Sequence, residues 1–289
     1  MTLRLERFDD VGAYLGRAGR FLAEREAAHN LILGITSGLT TNPGIWAAAP
    51  YLAAVSDDGD VVFASIRTPP YNLVLSEIDD ESYLLPLADD LASVDLPGVM
   101  GPEPGVATFA DAWSARTGRA HRRAMEERIS RLERVRDVAR PPGSMRPAAE
   151  PDRELLADWL VAFETEALPE ELPSDPGPMI DRYLAGGARG LRLWDDGGPV
   201  ALCGFGGPTP NGVRIGPVYT PPGLRRRGYA TGLVADVSAE RLAAGRRFCF
   251  LFTDLANPTS NHIYAEIGYE PIRDVAVHKF EPDRNRTAT

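Results

Sequence analysis

The stretch from Val213 to Leu233 constrains the fold of this chain more than any other. An apolar strand, Val213-Arg214-Ile215-Gly216-Pro217-Val218-Tyr219, is followed by the turn Thr220-Pro221-Pro222-Gly223. The loop Leu224-Arg225-Arg226-Arg227-Gly228 then feeds a helix that begins at Tyr229-Ala230-Thr231 and keeps its apolar face through Val234, Val237 and Leu242. A loop entering a helix leaves several backbone N–H groups without intrahelical partners, and the helix dipole favours negative charge at that end. Such a segment is a cradle for an anion. Gly228 and the small Ala230 allow close backbone approach, and Arg225, Arg226 and Arg227 add diffuse positive charge. The chemistry points to a phosphate or pyrophosphate. No Gly-Lys-Ser/Thr follows, as a P-loop requires, and the glycine spacing differs from that of a dinucleotide-binding turn. The structural alternative is an exposed basic turn opening an ordinary helix.

A second stretch lies downstream. The apolar strand Arg247-Phe248-Cys249-Phe250-Leu251-Phe252 leads to Asp254-Leu255-Ala256-Asn257, then to a short helix carrying Tyr264, then to the turn Gly268-Tyr269. Taken together, the two stretches resemble the signature of the GNAT superfamily of N-acetyltransferases. Arg225, Gly228 and Ala230 match its coenzyme A loop, Arg/Gln-x-x-Gly-x-Gly/Ala, and Asn257, Tyr264 and Gly268-Tyr269 follow in the family's order. The resemblance covers roughly 144 to 281. It implies an acetyl-CoA-dependent N-acetyltransferase, with acetyl-CoA as cosubstrate. Backbone amides from Arg226 through Arg227, Gly228, Tyr229 and Ala230 to Thr231 would hold the pyrophosphate. Main-chain groups of Val218, Tyr219 and Thr220 would meet the pantetheine arm and acetyl oxygen, Asn257 would bond the same arm, and Tyr264 would protonate the departing thiolate. Each role has a structural alternative: Asn257 as a helix cap, Tyr264 as a core aromatic, the arginines as solvated charge.

The chain has 289 residues, enough for one large domain or two of ordinary size, and its net charge of −10 argues against a nucleic-acid partner. Nine arginines between Arg116 and Arg140 form a basic run without interleaved aromatics, which reads as a strand and solvated linker rather than a nucleic-acid surface. There is no leader-like apolar segment and no apolar run long enough for a bilayer, so neither a membrane partner nor export is expected, and the cytoplasm is the expected compartment. Cys203 and Cys249 fall inside apolar strands and read as buried small hydrophobes. His29, His121, His262 and His278 have no metal-ligand spacing, so no metal is expected.

Hydrophobic patterning gives a helix from Asp9-Asp10 onward, a second at Leu31-Ile32-Leu33, a hairpin over 52–66 turning at Asp57-Asp58-Gly59, a third strand at Leu73-Val74-Leu75, and a helix over 107–116. The order returns after Met145: a helix bearing Leu155, Leu156, Trp159, Leu160 and Phe163, then a hairpin turning at Asp195-Asp196-Gly197-Gly198. This reads as an internal duplication, with chance similarity of common hairpins as its alternative. The expected class is α/β (α+β): two GNAT-like domains, each a central mixed, mostly antiparallel twisted sheet flanked by helices. Residues 1–140 would be a degenerate copy, since Ser76-Glu77-Ile78-Asp79-Asp80 stands where the cradle would be and Ser114 where Tyr264 would be. Arg140-Pro141-Pro142-Gly143 is the expected linker, and 144–289 the catalytic domain.

The resemblance implies a primary amine as acceptor, of a small molecule or a peptide. Deprotonating a lysine at pH 7 costs about 4.6 kcal/mol, an α-amine only about 1.4. No carboxylate lies between 211 and 220. The acidic group Glu164, Glu166, Glu170, Glu171 and Asp175 is therefore the expected attractor of a cationic amine, with Glu164 or Glu166 as base; surface solvation is its alternative. A coenzyme A-binding sensor without turnover is the competing function. A monomer or a homodimer is expected.

Overall fold

The computed structural model describes residues 2–42, 44, 48–167 and 174–282. The chain forms two compact units. One comprises the residues up to 129 together with 252–256 and those from 271 on; the other comprises 130–251 and 257–270.

The first unit runs β1 (Leu3–Phe8), α1 (Val11–Glu24), α2 (Asn30–Thr41), β2 (Tyr51–Asp57), β3 (Asp60–Arg67), β4 (Leu73–Leu75), α3 (Leu85–Asp90), β5 (Gly98–Pro102), α4 (Gly105–Thr117) and β6 (His121–Leu132). β1 to β4 pair antiparallel in sequence order, and β4 pairs parallel with β5. The last strand of the chain, β12 (Glu270–Phe280), pairs antiparallel with β5. Both faces of this sheet are covered, which is why β2 is buried almost throughout rather than alternating. Leu52, Ala54, Ala64, Ile66 and Val74 face Tyr14, Leu22 and Ile32 of α1 and α2. Ala53, Val55, Phe63, Leu73 and Leu75 point the other way, toward Leu87, Phe109 and Trp113 of α3 and α4.

In the second unit the same succession returns: β7 (Ser144–Pro147), α5 (Arg153–Ala167), α6 (Gly177–Leu184), β8 (Gly190–Asp195), β9 (Pro199–Gly206), β10 (Gly212–Tyr219), α7 (Tyr229–Ala243), β11 (Phe248–Asp254) and α8 (Pro258–Ile267). β7 through β10 pair antiparallel in order, and β10 pairs parallel with β11. Leu156, Leu160 and Ile180 of α5 and α6 pack on Leu191, Leu193, Leu202 and Tyr219. On the opposite face, Leu233, Val234 and Val237 of α7 and Ile267 of α8 pack on Ala201, Cys203, Phe205, Val213, Ile215 and Cys249. Both cysteines are fully buried, and burial pushes both thiols up, Cys249 to about 12. The expected class therefore holds: an α/β fold with a mixed, mostly antiparallel sheet and helices on both faces, built twice over.

Two details differ from the sequence reading. The short strands β1 and β7 that open each unit lack the length to give a periodic signal. The Arg140-Pro141-Pro142-Gly143 stretch, the expected linker, is packed within the second unit rather than loose. Trp194 Nε1 donates to Pro142 O at 2.7 Å. Gly232 in α7 leaves room for Pro141, whose Cδ would lie 2.8 Å from a Cβ there.

One buried polar contact in the first unit sets a pH limit. His29 Nδ1 lies 3.1 Å from the Leu22 carbonyl, and Nε2 accepts the Glu77 N–H at 3.1 Å, so the ring is neutral with its proton on Nδ1. Burial holds its pKa below the usual value, and burial beside His121 does the same for His278. A histidine held low in the folded state is stabilising above the unfolded value of about 6.5 and loses that contribution as pH falls through it. The thermal midpoint is expected to drop between pH 7 and pH 5, ahead of carboxylate protonation. In His29→Gln/His278→Gln that slope should flatten; an unchanged slope in scanning calorimetry would contradict the assignment.

Candidate functional site

The geometry of the second unit centres on where β10 loses a partner. Its parallel pairing with β11 covers only Gly212–Phe248, Val213–Cys249 and Arg214–Phe250. Beyond Arg214 the strand keeps β9 alone, and the register with β9 shifts between Ile215 and Val218 as a bulge. The bulge sits tightly on β9: a Cβ on Gly204 would lie 2.6 Å from the Gly216 carbonyl. Backbone polar groups from Gly216 to Thr220 are thus presented on an open strand edge, Pro217 contributing no N–H. Thr220 Oγ1 is buried without a hydrogen-bond partner among the described residues.

The chain then makes a 3-10 turn, Pro222–Leu224, and enters α7. Arg226 (φ 63°) and Gly228 (φ 81°) both take left-handed backbone, the geometry of an anion-binding nest. The first backbone bond of α7 is Gly232 N–H to Gly228 O at 2.9 Å, so the N–H groups of Tyr229, Ala230 and Thr231 have no helical acceptor. A Cβ on Gly228 would meet only Pro141 Cβ, at 3.8 Å, so the helix entry is uncrowded at this residue.

The three arginines have different situations. Arg225 donates from Nε to Thr220 O at 2.8 Å and from Nη2 to both oxygens of Glu166 at 2.8 and 2.7 Å, and its guanidinium lies 5.8 Å from the Tyr219 ring centre. It ties the loop to the end of β10 and to α5. Arg226 is exposed with no hydrogen bond or ion pair among the described residues, and Arg227 reaches Gly223 O at 3.4 Å. The Tyr229 side chain turns into the core and donates to Asp196 Oδ2 at 2.5 Å, a bond that raises its pKa, so Tyr229 offers the cradle only its backbone. Thr231 likewise buries its side chain.

Tyr264 is held by the architecture of α8. Asn257 caps the helix, its side chain accepting from Ser260 N–H at 3.1 Å. At the other end Gly268 takes φ 112°; its N–H reaches Ala265 O at 3.2 Å while Tyr269 N–H donates to Tyr264 O at 2.9 Å, a Schellman closure. The Tyr269 ring meets Tyr264 edge to face at 5.9 Å, and the Tyr269 hydroxyl is fixed to Ser238 of α7 at 2.8 Å. The Gly-aromatic pair thus orients Tyr264. The Tyr264 ring is half-buried against the core and its hydroxyl has no hydrogen-bond partner among the described residues. Burial, with Cys203 nearby, raises its pKa, so the hydroxyl keeps its proton at neutral pH.

The acidic group is dispersed. Both oxygens of Glu164 accept from Ser174, at 2.7 Å from its N–H and 3.0 Å from its hydroxyl. Glu166 is taken by Arg225, Asp175 caps Gly177 N–H at 2.9 Å, and Glu170 and Glu171 lie outside the described residues. Sequence reasoning missed the bulge, although Gly216-Pro217 inside an apolar strand signals one. It also missed Tyr183 on α6, whose hydroxyl donates to the Gly216 carbonyl at 3.4 Å.

Residues 201–277 match the family model described as FR47-like protein, a span running from β9 into β12. A GCN5-related N-acetyltransferase from Sphaerobacter thermophilus superposes with a TM-score of 0.59 at 15% identity, covering 95% of this chain and 94% of its own. A tandem GNAT protein from the clavulanic acid biosynthesis pathway gives 0.57 at 13% identity, with 97% and 100% covered. A Drosophila protein gives 0.67 at 13% identity, with 96% and 98% covered. The fold is that of the GNAT N-acetyltransferases, in tandem. No curated protein matches the sequence. Within this tandem GNAT fold the two copies differ at the turn after their fourth strand. The segment after β4 carries buried Glu77 paired with Arg25 and Arg273, and Asp79 paired with Arg25, where the second copy has its open cradle.

Removing the cap separates its two candidate roles. Asn257→Ala is expected to cost about 1 kcal/mol in urea unfolding. A loss confined to acetyl-CoA affinity, with stability intact, would contradict the capping role.

Proposed function

We propose that the second unit is an acetyl-CoA-dependent N-acetyltransferase that moves the acetyl group to a primary amine by direct attack. One observation carries this reading: a strand edge left unpaired at a bulge runs directly into an open, doubly left-handed helix entry. An extended arm ending in a diphosphate fits that combination of groups. The unpartnered Thr220 hydroxyl and the uncrowded helix entry at Gly228 support the fit. The cosubstrate supplies an activated thioester carbonyl. The N–H groups of Tyr229, Ala230 and Thr231, with Arg226 and Arg227, hold the diphosphate. Arg225 acts through position, pinned by Glu166 so that the loop stays in register with β10. Main-chain groups from Val218 to Thr220 take the arm and polarise the carbonyl. Asn257 caps α8 with its carbonyl oxygen and retains an exposed amide for the arm.

Tyr264 donates its proton to the sulfur as the C–S bond breaks, while the attacking amine gives up a proton to solvent. No covalent enzyme intermediate is required. No helix among the described residues is long and apolar enough to cross a membrane.

Two substitutions test the reading through different readouts. Gly228→Val is expected to weaken acetyl-CoA binding about tenfold or more by calorimetry, because it strains a left-handed residue and fills the cradle mouth. Tyr264→Phe should leave that affinity within about twofold and lower kcat by about a hundredfold, the scale of a lost general acid. Binding of acetyl-CoA with no thiol release across a broad amine panel would replace the enzyme with a coenzyme A sensor.

A further inference from the structure

The face of the sheet under α5 and α6 holds a second cluster of charge, next to the bulge and on the side away from Tyr264. On β10, Arg214 pairs in register with Gly206 of β9. On the other side of Gly206 stands Arg189, which immediately precedes β8; a Cβ built on Gly206 would lie 3.3 Å from Arg189 Cβ. The three residues form one cross-strand row, so both arginines rise from the same face with a side-chain-free position between them. Their backbones stand about 10 Å apart, two strand spacings.

Tyr183 of α6 packs over Gly206. Its Cε1 would lie 4.0 Å from a Gly206 Cβ, and its hydroxyl reaches the Gly216 carbonyl in the bulge. Arg182 precedes it in the last turn of α6. The Arg214 guanidinium extends past Gly207, with Nη2 3.6 Å from a Cβ placed there. Arg182, Arg189 and Arg214 are each half-buried, and none has a hydrogen bond or ion pair among the described residues. Most other arginines of this unit are paired: Arg146 with Asp152 and Asp195, Arg153 with Glu150 and Asp181, Arg192 with Glu240, Arg225 with Glu166. Half-buried guanidinium groups with no carboxylate partner among the described residues are a ready receptor for a carboxylate.

We propose that the guanidinium groups of Arg189 and Arg214, on either side of the Gly206–Tyr183 contact, bind a carboxylate of the acceptor, so that the amine acetylated belongs to an amino acid or a similar amino carboxylate. This rests on the acetyltransferase reading and names its substrate class. It replaces the cationic acceptor expected from Glu164 to Asp175, whose described carboxylates are already engaged. Arg214 occupies the β10 position before the bulge where a base would be sought, and a guanidinium cannot serve as one. An α-amine gives up its proton more readily than a lysine side chain, and a positive field favours its neutral form further. Fixing the carboxylate and easing amine deprotonation are thus consequences of one cluster.

The test compares amino acids with their own carboxamides as acceptors, alongside calorimetric titration of glutarate and, separately, of acetyl-CoA. Wild-type protein is expected to bind glutarate and to prefer the amino acids over the amides by about tenfold or more in kcat/KM, the scale of one charge-assisted hydrogen bond. Arg189→Gln/Arg214→Gln should lose glutarate binding and that preference while acetyl-CoA affinity stays within about twofold. If wild type binds acetyl-CoA but binds no glutarate, or turns over acids and amides equally, the anionic subsite is wrong and the acetyltransferase reading stands. If acetyl-CoA itself does not bind, the reading beneath it falls. The wild-type comparison needs no variant, so a misfolded double substitution does not spare the proposal.

Discussion

Two neighbouring strands stop pairing after Arg214 and Phe250, and the rest of the site depends on that interruption. A buried strand edge with free N–H and C=O groups is costly unless another group satisfies them. The second unit sustains this open edge because the strand is braced on its other side. The bulge rests on Gly204, Tyr183 bonds the Gly216 carbonyl, and Val218 and Tyr219 anchor into opposite cores. The scaffold thus holds unused hydrogen-bonding capacity in a fixed place.

Around that edge, charge is sorted by partner. Arg225 is paired and structural, Arg226 is exposed at the helix entry, and Arg182, Arg189 and Arg214 lie on the far face without carboxylates among the described residues. The same residue type therefore serves three ends, and pairing, not sequence proximity, distinguishes them. Tyr264 belongs to the α7/α8 face, whereas the arginine row belongs to the α5/α6 face. In the reading advanced here, nucleophile and proton donor approach the thioester from opposite sides of β10. The first copy shares the order of elements but fills the equivalent turn with the buried, paired Glu77.

Much of this was legible in the sequence. The hairpins at Asp57-Asp58-Gly59 and Asp195-Asp196-Gly197-Gly198 and the Arg-rich helix entry follow from local rules of turn chemistry and periodicity, and the duplication follows from their repetition. The pairing of β12 with β5 did not, because register between strands far apart in sequence leaves no local mark. Asn257 was readable both as cap and as ligand contact, and its hydrogen bond to Ser260 N–H establishes the first role. Glu164 and Glu166 looked like an acceptor wall because spacing cannot reveal that Ser174 and Arg225 occupy them. The row of Arg189, Gly206 and Arg214 was invisible for the same reason: three positions meet only once three strands are aligned.

The central claim concerns backbone groups, so backbone exchange measures it most directly. Hydrogen–deuterium exchange with and without acetyl-CoA should show protection concentrated in peptides spanning Gly216–Thr220 and Arg226–Thr231, with little change in the first unit's Ser76–Asp80 turn. Saturating acetyl-CoA that leaves both segments exchanging as in the free protein would contradict the account.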